Sequence, residues 1–226
     1  MANWFEGMRS ISSFAKVQTL VGNLIRNRTF QLRKSRPCSL EYLDIGCGRN
    51  SHAEFINLDY LWHPRVDVCW DITCGFPFRT HSMKGIFSEH CLEHFSLRVG
   101  FRILQECRRL LRPEGILRIV VPDAELYLSL YHRQNEGDTT ASFPFQSSEA
   151  FDGVYSPLLS VKRVFYQDRD SLFGHRCMYD FSLLASLLRR IGFDSVQRTS
   201  FGQGRNPSLL IDSESRRSES LYVEAS

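Results

Sequence analysis

The sequence lacks the features that would assign it to a membrane, a fibre or a disulfide scaffold. Its 226 residues contain no apolar run near the roughly 18 residues of a transmembrane helix. The N-terminus has no basic region, apolar core and cleavage site of a signal peptide. The seven cysteines form no C-x-x-C pair, so we expect reduced thiols and a cytoplasmic location. Hydrophobic residues make up 42% and charged residues 23%, as in an ordinary globular domain.

The sequence also has little net charge, but that charge is unevenly distributed. The total of +3 does not favour a nucleic-acid partner. Residues 1–36 nevertheless carry +6, and residues 37–226 carry −3. Apolar residues recur at helical spacing in the first segment, at Phe14, Val17, Val21, Leu24 and Ile25. This pattern predicts a basic amphipathic helix, which either packs on the domain or contacts a partner or an anionic membrane surface. Contact with a membrane would make the location membrane-peripheral.

From residue 37 onwards, short apolar runs alternate with helical patterns, which predicts one doubly wound α/β domain with a mostly parallel sheet. The predicted strands are Leu40–Ile45, Phe55–Asp59, Val66–Asp71, Gly85–Ser88, Ile116–Val121, Val196–Thr199 and Ser220–Glu224. The predicted helices are Leu97–Leu111 and Phe181–Ile191, which end at Pro113 and Gly192. Residues 124–176 form an insertion rich in aromatic side chains, which we expect to be a substrate lid or a small satellite core.

Three successive predicted strands end in residues suited to a nucleoside ligand. The first ends at Asp44 and is followed by Gly46-Cys47-Gly48, where missing Cβ atoms let a ligand approach the backbone. The second ends in Asp59, whose carboxylate can accept both hydroxyls of a ribose. The third ends in Asp71, an acceptor for an adenine amino group. Three such strand ends in succession are more specific than any one of them.

Together these residues carry a family resemblance. The segments Leu43–Gly48, Phe87–Phe95 and Arg109–Leu117, with Asp59 and Asp71, resemble the class I S-adenosylmethionine-dependent methyltransferases. The resemblance implies a Rossmann-like sheet of seven strands, mostly parallel with an antiparallel last strand. It also implies that S-adenosylmethionine is the cofactor. The pattern is similar to that of compact bacterial methyltransferases that act on sugars or other small molecules.

The resemblance also implies which residues bind the cofactor. The methionine part falls to Asp44 and the glycine turn, the ribose to Asp59, and the adenine to Asp71. The expected cofactor site comprises Asp44, Gly46, Cys47, Gly48, Asp59, Tyr60, Asp71, Ile72 and Ser88. The chain departs from the family pattern at Asn50, where many members have a third glycine, and at Glu114, which replaces a glycine. The stretch between Gly48 and Phe55 is too short for a full crossover helix.

The residues expected to act on the acceptor lie after the fourth and fifth strands. His90 is the proposed general base because imidazole titrates near neutral pH, its neighbour Glu89 is a second catalytic candidate, and His175 is a third, placed near the mouth of the pocket. The proposed substrate contacts are Asp123, Tyr127, Arg176 and Tyr179. The favoured acceptor is a small molecule with a hydroxyl, in a sugar or a secondary metabolite. The oligomeric state stays open.

Three alternatives remain at this point. The chain could bind S-adenosylmethionine as a catalytically inactive scaffold. His90-Cys-Leu-Glu-His94 also matches H-x-x-E-H, a zinc-peptidase signature, but the apolar run before it places His90 at a strand end rather than inside a helix. A zinc hydrolase through His90 and His94 is therefore remote, and no metal is expected. A nicotinamide-binding fold is disfavoured because Gly48 is followed by Arg49-Asn50-Ser51, without the third glycine of that motif.

Overall fold

The computed structural model describes residues 13–28, 40–144, 154, 156–166 and 174–226. Its seven strands form one sheet in the order β3-β2-β1-β4-β5-β7-β6. The strands are β1 Tyr42–Ile45, β2 Ile56–Asp59, β3 Val68–Cys69, β4 Met83–Glu89, β5 Leu111–Pro122, β6 Val196–Thr199 and β7 Ser220–Ala225. β7 runs antiparallel to both of its neighbours, whereas β1 to β5 pair in parallel. The predicted seven-stranded sheet with an antiparallel last strand is confirmed.

The strand order reverses between β1 and β4, and the carboxyl ends of the strands meet there. Ile45 at the end of β1 lies opposite Leu58 of β2 on one side and Ser88 of β4 on the other. In open α/β sheets, ligands bind in the crevice that such a reversal leaves at the carboxyl ends of the strands. The topology therefore places the glycine turn, Asp59 and the end of β4 around one crevice.

Five helices accompany the sheet in the described parts of the chain. They are α1 Ser13–Ile25, α2 Leu97–Leu110, α3 Ala124–Asn135, α4 Pro157–Phe165 and α5 Phe181–Ile191. α5 begins where the Asp180 carboxylate accepts the Leu183 N–H, and it ends at Gly192 in the left-handed conformation. Apolar residues of α2 and α5, such as Leu104 and Leu184, share the main core with Ile86 of β4. These two helices therefore cover one face of the sheet.

The opposite face of the sheet is covered by irregular chain. Successive residues of a strand point to opposite faces, so Phe87 and Val120 face away from the main core. They pack with Phe55, Tyr222 and Leu209 in a second cluster, and Phe201 and Ile211 contact its edge. The connection between β1 and β2 contains no helix, which confirms that the first crossover is compressed. Loops therefore cover this face of the sheet, which helices cover in most doubly wound folds.

The described part of the 124–176 insertion forms a small core of its own. The Tyr127 ring stacks on Phe143 at 6.0 Å between centroids and meets Phe165 edge-on at 5.4 Å. Ala124 and Leu130 of α3 and Val161 and Val164 of α4 complete this cluster. Phe145, Phe151, Tyr155 and Phe173 lie outside the described residues. The satellite-core interpretation therefore holds for the aromatic residues Tyr127, Phe143 and Phe165, and the lid stays a prediction.

Helix α1 packs on the domain through a different face from the predicted apolar stripe. Gly22 is buried, Ile25 contacts the cluster of Cys47, Val66 and Cys69, and the Gln18 side chain donates to the Trp62 carbonyl at 3.0 Å. Val17, Leu20 and Leu24 remain 48%, 63% and 58% exposed. The expectation that Val17 and Leu24 pack on the body is wrong, because small and polar residues make the close approach instead.

A fully buried arginine ties the irregular face to the sheet. Arg118 lies on β5, and its guanidinium forms a two-pronged bond to Asp212, with Nε–Oδ1 at 2.8 Å and Nη2–Oδ2 at 2.5 Å. It also donates to Glu224 on β7 at 3.2 Å, to the Thr199 hydroxyl and to the carbonyls of residues 200 and 203. All five of its N–H donors thus have acceptors within reach, which satisfies the condition for burying a charge.

We predict that Arg118→Met lowers the free energy of unfolding by about 3–5 kcal/mol, because it leaves the buried carboxylates of Asp212 and Glu224 without their cation. Urea unfolding followed by circular dichroism measures this change. Arg98→Met on exposed α2 is the matched control and should stay within about 0.5 kcal/mol of the unsubstituted protein. A loss below about 1 kcal/mol for the Arg118 variant would contradict this account of the loop face.

Candidate active site

A cavity of about 590 Å³ opens at the carboxyl ends of β1, β2, β3 and β4. This volume is in the range of small-molecule sites. Its wall includes eight of the residues predicted to bind ligand, namely Gly46, Gly48, Asp59, Tyr60, Asp71, Ile72, His90 and Arg176. Gln18 on α1 and Arg176 at the end of the insertion lie 158 positions apart in sequence, so this wall is assembled only when the chain folds.

The glycine turn after β1 holds two backbone conformations that favour glycine. Gly46 has φ +73° and Gly48 has φ +53°. The Gly46 N–H donates to the Leu58 carbonyl at 2.8 Å, which draws the turn against β2. A Cβ atom on Gly46 would lie 2.8 Å from Cβ and Sγ of Cys91, whereas a Cβ on Gly48 would meet nothing closer than 4.0 Å. A side chain at position 46 would therefore clash with Cys91, whereas the glycine at position 48 leaves the backbone open to the cavity.

Asp59 is fixed at the end of β2 by two backbone bonds. Its Oδ2 accepts the Gly48 N–H at 2.8 Å, and its Oδ1 accepts the Leu61 N–H at 2.7 Å. Burial raises the pKa of this carboxyl, and the backbone N–H groups oppose that shift. Asp59 thus connects the glycine turn to the next strand end while its carboxylate reaches the cavity. Each carboxylate oxygen keeps a lone pair for a ligand hydroxyl.

Asp71 caps the short 3₁₀ turn Ile72–Cys74 at the far end of the cavity. Its Oδ1 accepts the Thr73 N–H at 3.0 Å and the Thr73 hydroxyl at 2.7 Å. The N-terminal segment takes part here, because the Asn27 side-chain oxygen accepts the Asp71 N–H at 2.8 Å. Ile72 and the Trp70 ring add apolar surface to the same wall. This end of the cavity therefore combines flat apolar surface with hydrogen-bonding groups.

Carboxylates are concentrated behind the glycine turn. Asp44 on β1 is buried, and its pKa is raised well above the usual range by burial and by the charges of Glu89 and Asp59. Glu89 does not face the cavity: its Oε1 accepts the Ser213 N–H at 2.9 Å, and its Oε2 accepts the Ser213 hydroxyl. Asn50 donates to the same hydroxyl at 3.3 Å. The carboxylates give this part of the site a negative potential.

His90 follows β4 in a backbone conformation that is unusual for a residue with a side chain. Its φ is +47°, and its N–H donates to the Val120 carbonyl at 2.8 Å. The ring lies in the cavity wall, with Nε2 2.8 Å from the Ser220 hydroxyl and Nδ1 3.4 Å from Glu93 Oε1. Burial lowers the pKa of His90 to about 3, so the imidazole is neutral at physiological pH.

The zinc-peptidase arrangement of His90 and His94 is not formed. That signature needs both histidines on one face of an α-helix, one turn apart. Here His90 precedes a single 3₁₀ turn, Leu92–His94, and α2 begins only at Leu97. The zinc-hydrolase alternative in this form is therefore wrong, because the chain leaves β4 through a left-handed residue rather than a helix.

The same turn places a buried carboxyl among three histidines. Glu93 is 1% exposed, and burial raises its pKa to about 8. Its Oε1 lies 3.4 Å from His90 Nδ1 and 3.8 Å from His175 Nε2. The His94 and His175 rings meet edge-on, with centroids 4.8 Å apart. His175, predicted to be catalytic, thus contacts this buried group beside the cavity.

The remaining predicted site residues do not line the cavity. Cys47 packs against Val66 and Cys69, and Ser88 is buried within β4. Asp123 caps α3 and pairs with Arg198 at 2.6 Å. Tyr127 and Tyr179 are almost fully buried in the two cores, and Tyr127 donates its hydroxyl to Glu219 at 3.1 Å. Of the four proposed substrate contacts, only Arg176 faces the cavity.

Several cavity residues were not predicted from the sequence. Gln18 reaches the wall from α1, and Arg49, His63, Trp70 and Phe95 come from loops. No motif marks them, because a side chain in a loop or on a leader helix has no fixed spacing from the glycine turn. The basic charge of residues 1–36 singled out that segment, but it did not predict that Gln18 lines the cavity.

Comparison with known protein families gives a match over part of the chain. Residues 43–119 match the family model of a methyltransferase domain. Among curated proteins, no sequence matches the chain.

The solved structures that the chain resembles have low sequence identity to it and TM-scores below 0.5. A methyltransferase dependent on S-adenosylmethionine from Thermotoga maritima is 14% identical, with 82% of this chain and 81% of that one covered and a TM-score of 0.48. An Archaeoglobus fulgidus methyltransferase is 15% identical over 92% and 93%, with a TM-score of 0.46. The Burkholderia thailandensis 1,6-didemethyltoxoflavin-N1-methyltransferase, bound to S-adenosylhomocysteine, is 15% identical over 81% and 69%, with a TM-score of 0.44.

We predict unequal effects of alanine at the two glycines of the turn. Gly46→Ala should lower the free energy of unfolding by about 2–4 kcal/mol, since it adds a clash with Cys91 to the cost of a positive φ. Gly48→Ala should cost only about 1 kcal/mol, because only the backbone conformation is penalised. Urea unfolding of both variants tests this difference, and equal losses would show that Cys91 does not confine the turn.

Proposed function

We propose that the chain is a class I S-adenosylmethionine-dependent methyltransferase, with S-adenosylmethionine as its cofactor, and that it methylates a hydroxyl of a small-molecule acceptor, in a sugar or a secondary metabolite. One observation carries the proposal: Gly48, Asp59 and Asp71 stand in succession along one cavity at the point where the strand order reverses. The acceptor class rests on the imidazoles in the same wall, which can take a proton from a hydroxyl.

The cavity fits the donor in shape and in charge. Asp59 lines the cavity with a carboxylate that could accept the hydroxyls of a ribose, and Trp70 and Ile72 offer apolar surface beside Asp71. Asp44, with its pKa raised partly by neighbouring carboxylates, marks a region where a positive charge is favourable. When bound, S-adenosylmethionine supplies an activated methyl group on a positively charged sulfonium. The residues present therefore match the group that the family binds.

The protein's own contribution to transfer is alignment and proton removal. A methyl group on a sulfonium is already activated, so the chain mainly has to hold the acceptor in line with it. Arg176 is exposed at the cavity and can orient a polar acceptor. His90 is neutral, as a base must be before it takes a proton. Burial makes the neutral ring a weak base, and the Glu219 carboxylate, 3.8 Å from Nε2, is the nearby group that would favour its protonated form.

A catalytically inactive donor-binding scaffold is the second candidate, and the departures from the family pattern favour it only weakly. Asn50 donates to Ser213, and Glu114 is exposed in the first part of β5. Neither substitution removes a group from the cavity wall. Donor binding without formation of the demethylated product across a panel of hydroxyl acceptors would favour the scaffold.

We predict that Asp59→Asn weakens binding of S-adenosylmethionine and S-adenosylhomocysteine at least tenfold. An amide leaves only one acceptor oxygen and presents N–H donors toward the backbone N–H of Gly48 or Leu61. Calorimetric titration with both ligands measures the change. Asp194→Asn at an exposed site is the matched control. Failure of the unsubstituted protein to bind either ligand would contradict both candidate functions.

We predict that His90→Asn lowers kcat by about 10²–10⁴ while donor affinity changes little, because general-base catalysis contributes on this scale. Asparagine tolerates the positive φ at this position better than most residues do. Release of S-adenosylhomocysteine with an active acceptor is the measurement. His132→Asn on exposed α3 serves as the control. Unchanged turnover would remove His90 as the base.

We also propose that the outer face of α1 contacts an anionic membrane surface. Three apolar side chains are exposed on this helix, and residues 1–36 carry a net charge of +6. Within the described ranges, no helix is both long and apolar enough to cross a bilayer. The contact would therefore be peripheral, through the face of α1 that points away from the cavity.

We predict that Leu20→Ser with Leu24→Ser reduces sedimentation with phosphatidylglycerol vesicles severalfold, because apolar burial and charge act together at such surfaces. Leu128→Ser on exposed α3 is the matched control. Binding by the unsubstituted protein should fall with salt and be weak on phosphatidylcholine alone. No binding to the anionic vesicles would assign the exposed face of α1 to another contact.

A further inference from the structure

We propose that Glu93, His94 and His175 form a binding site for one divalent transition-metal ion beside the donor cavity. The sequence pattern did not predict this site, because His175 lies near the end of the insertion, 82 positions after Glu93. It differs from the zinc-peptidase arrangement in its ligands, since His175 replaces His90. The site itself does not depend on the proposed function, but the role suggested for it below does.

The distances suit a single ion. One ligand atom from each of the three residues lies within 4.8 Å of the other two. Glu93 Oε1 and His175 Nε2 are 3.8 Å apart. Metal bonds of about 2.0–2.2 Å place neighbouring ligand atoms roughly 3.3–4.2 Å apart, depending on the angle. The Glu93–His175 pair already has this spacing, and a movement of the His94 ring by about 1 Å or less completes the set.

The hydrogen bonds around His175 present a lone pair to the site. Its Nδ1 is in hydrogen-bond contact with the Val164 carbonyl, and a carbonyl can only accept, so Nδ1 carries the proton. Nε2 is then unprotonated and faces Glu93 Oε1. Metal-binding histidines are oriented in this way, with the second ring nitrogen donating to a carbonyl or carboxylate. Lone pairs on nitrogen and oxygen face each other here, which favours a cation between them.

Glu93 supplies a second, independent observation. Both of its carboxylate oxygens are buried and have no hydrogen-bond partner among the described residues. Buried polar atoms in native proteins nearly always have a partner, so two orphaned oxygens on one side chain point to a missing group. The backbone at this position is fixed, because the Glu93 carbonyl accepts the N–H groups of Arg176 and Cys177, at 2.7 Å and 3.1 Å. These bonds hold the turn against the segment that carries His175.

The ligand set indicates the kind of ion and its possible use. Two imidazoles and one carboxylate suit Zn²⁺ or Fe²⁺ better than Mg²⁺ or Ca²⁺, which prefer oxygen ligands. Three protein ligands leave a coordination position open, as in catalytic sites. Of the three residues, His94 lines the donor cavity, so the site adjoins that cavity. If the proposed function is correct, the ion would lower the pKa of the acceptor hydroxyl and ease its deprotonation.

The competing explanation is a proton on Glu93 instead of a metal. A protonated carboxyl could donate to His175 Nε2 after a small rotation, and no ion would be needed. Only the metal-site explanation predicts that the wild-type protein binds a divalent ion after a chelator has removed any bound metal.

The test is a titration of chelator-treated protein with Co²⁺ and with Zn²⁺. Visible absorption reports Co²⁺ coordination, and calorimetry reports the affinity for Zn²⁺. We expect one ion per chain, with affinity at least tenfold weaker in Glu93→Gln and in His175→Gln. His132→Gln is the control, because His132 is an exposed histidine paired with Glu136 on α3. Zn²⁺ should also raise the Tm of the wild-type protein but not that of the two site variants.

A second measurement avoids reliance on variants that fail to fold. X-ray absorption of the zinc-loaded wild-type protein should show two imidazole ligands together with oxygen. Absence of stoichiometric binding, equal affinity in the site variants, or a spectrum without two imidazoles would overturn the proposal. S-adenosylhomocysteine binding, measured on the same metal-free protein, separates this outcome from failure of the proposed function.

Discussion

The ion pair between Arg118 and Asp212 is the interaction on which the rest of the site depends. One face of the sheet has no covering helix among the described residues, and the loop from residue 199 to 213 covers it instead. Such a loop has few backbone bonds of its own, so it needs strong side-chain anchors. Arg118 supplies five donors from the centre of the sheet. Ser213, the residue after Asp212, then binds Glu89 at the end of β4.

That anchor explains how the chain can turn sharply at His90. Glu89 is held by Ser213, and the N–H of His90 is held by the Val120 carbonyl, so the backbone at a positive φ is fixed on both sides. The turn directs His90 toward the cavity and buries Glu93 behind it. Burying a charged carboxylate costs free energy unless a proton or a cation neutralises it. The proposed metal site follows from that constraint, and His90, the proposed base, lies beside the same carboxylate.

Local patterns predicted most of the fold and about half of the site. Helix α5 and strand β6 match their predicted bounds, because capping residues and apolar spacing act locally. β3 is shorter than predicted, Val68–Cys69 instead of Val66–Asp71, since only that part finds a partner in β2. Asp59 and Asp71 were found because strand ends fix their positions. Asp123 and Tyr179 were misplaced, because position after a strand does not show which way a side chain points.

The sequence by itself determined the order of strands and helices, the glycine turn and the acids at successive strand ends. These features depend on residue type and on spacings of a few positions, which local physics controls. Only the tertiary structure decided that Gln18 and Asn27 help to build the cavity, that Arg118 anchors the loop face, and that His175 meets Glu93. Such contacts join residues far apart in the chain, and the free energy that selects them comes from packing and burial in the whole domain.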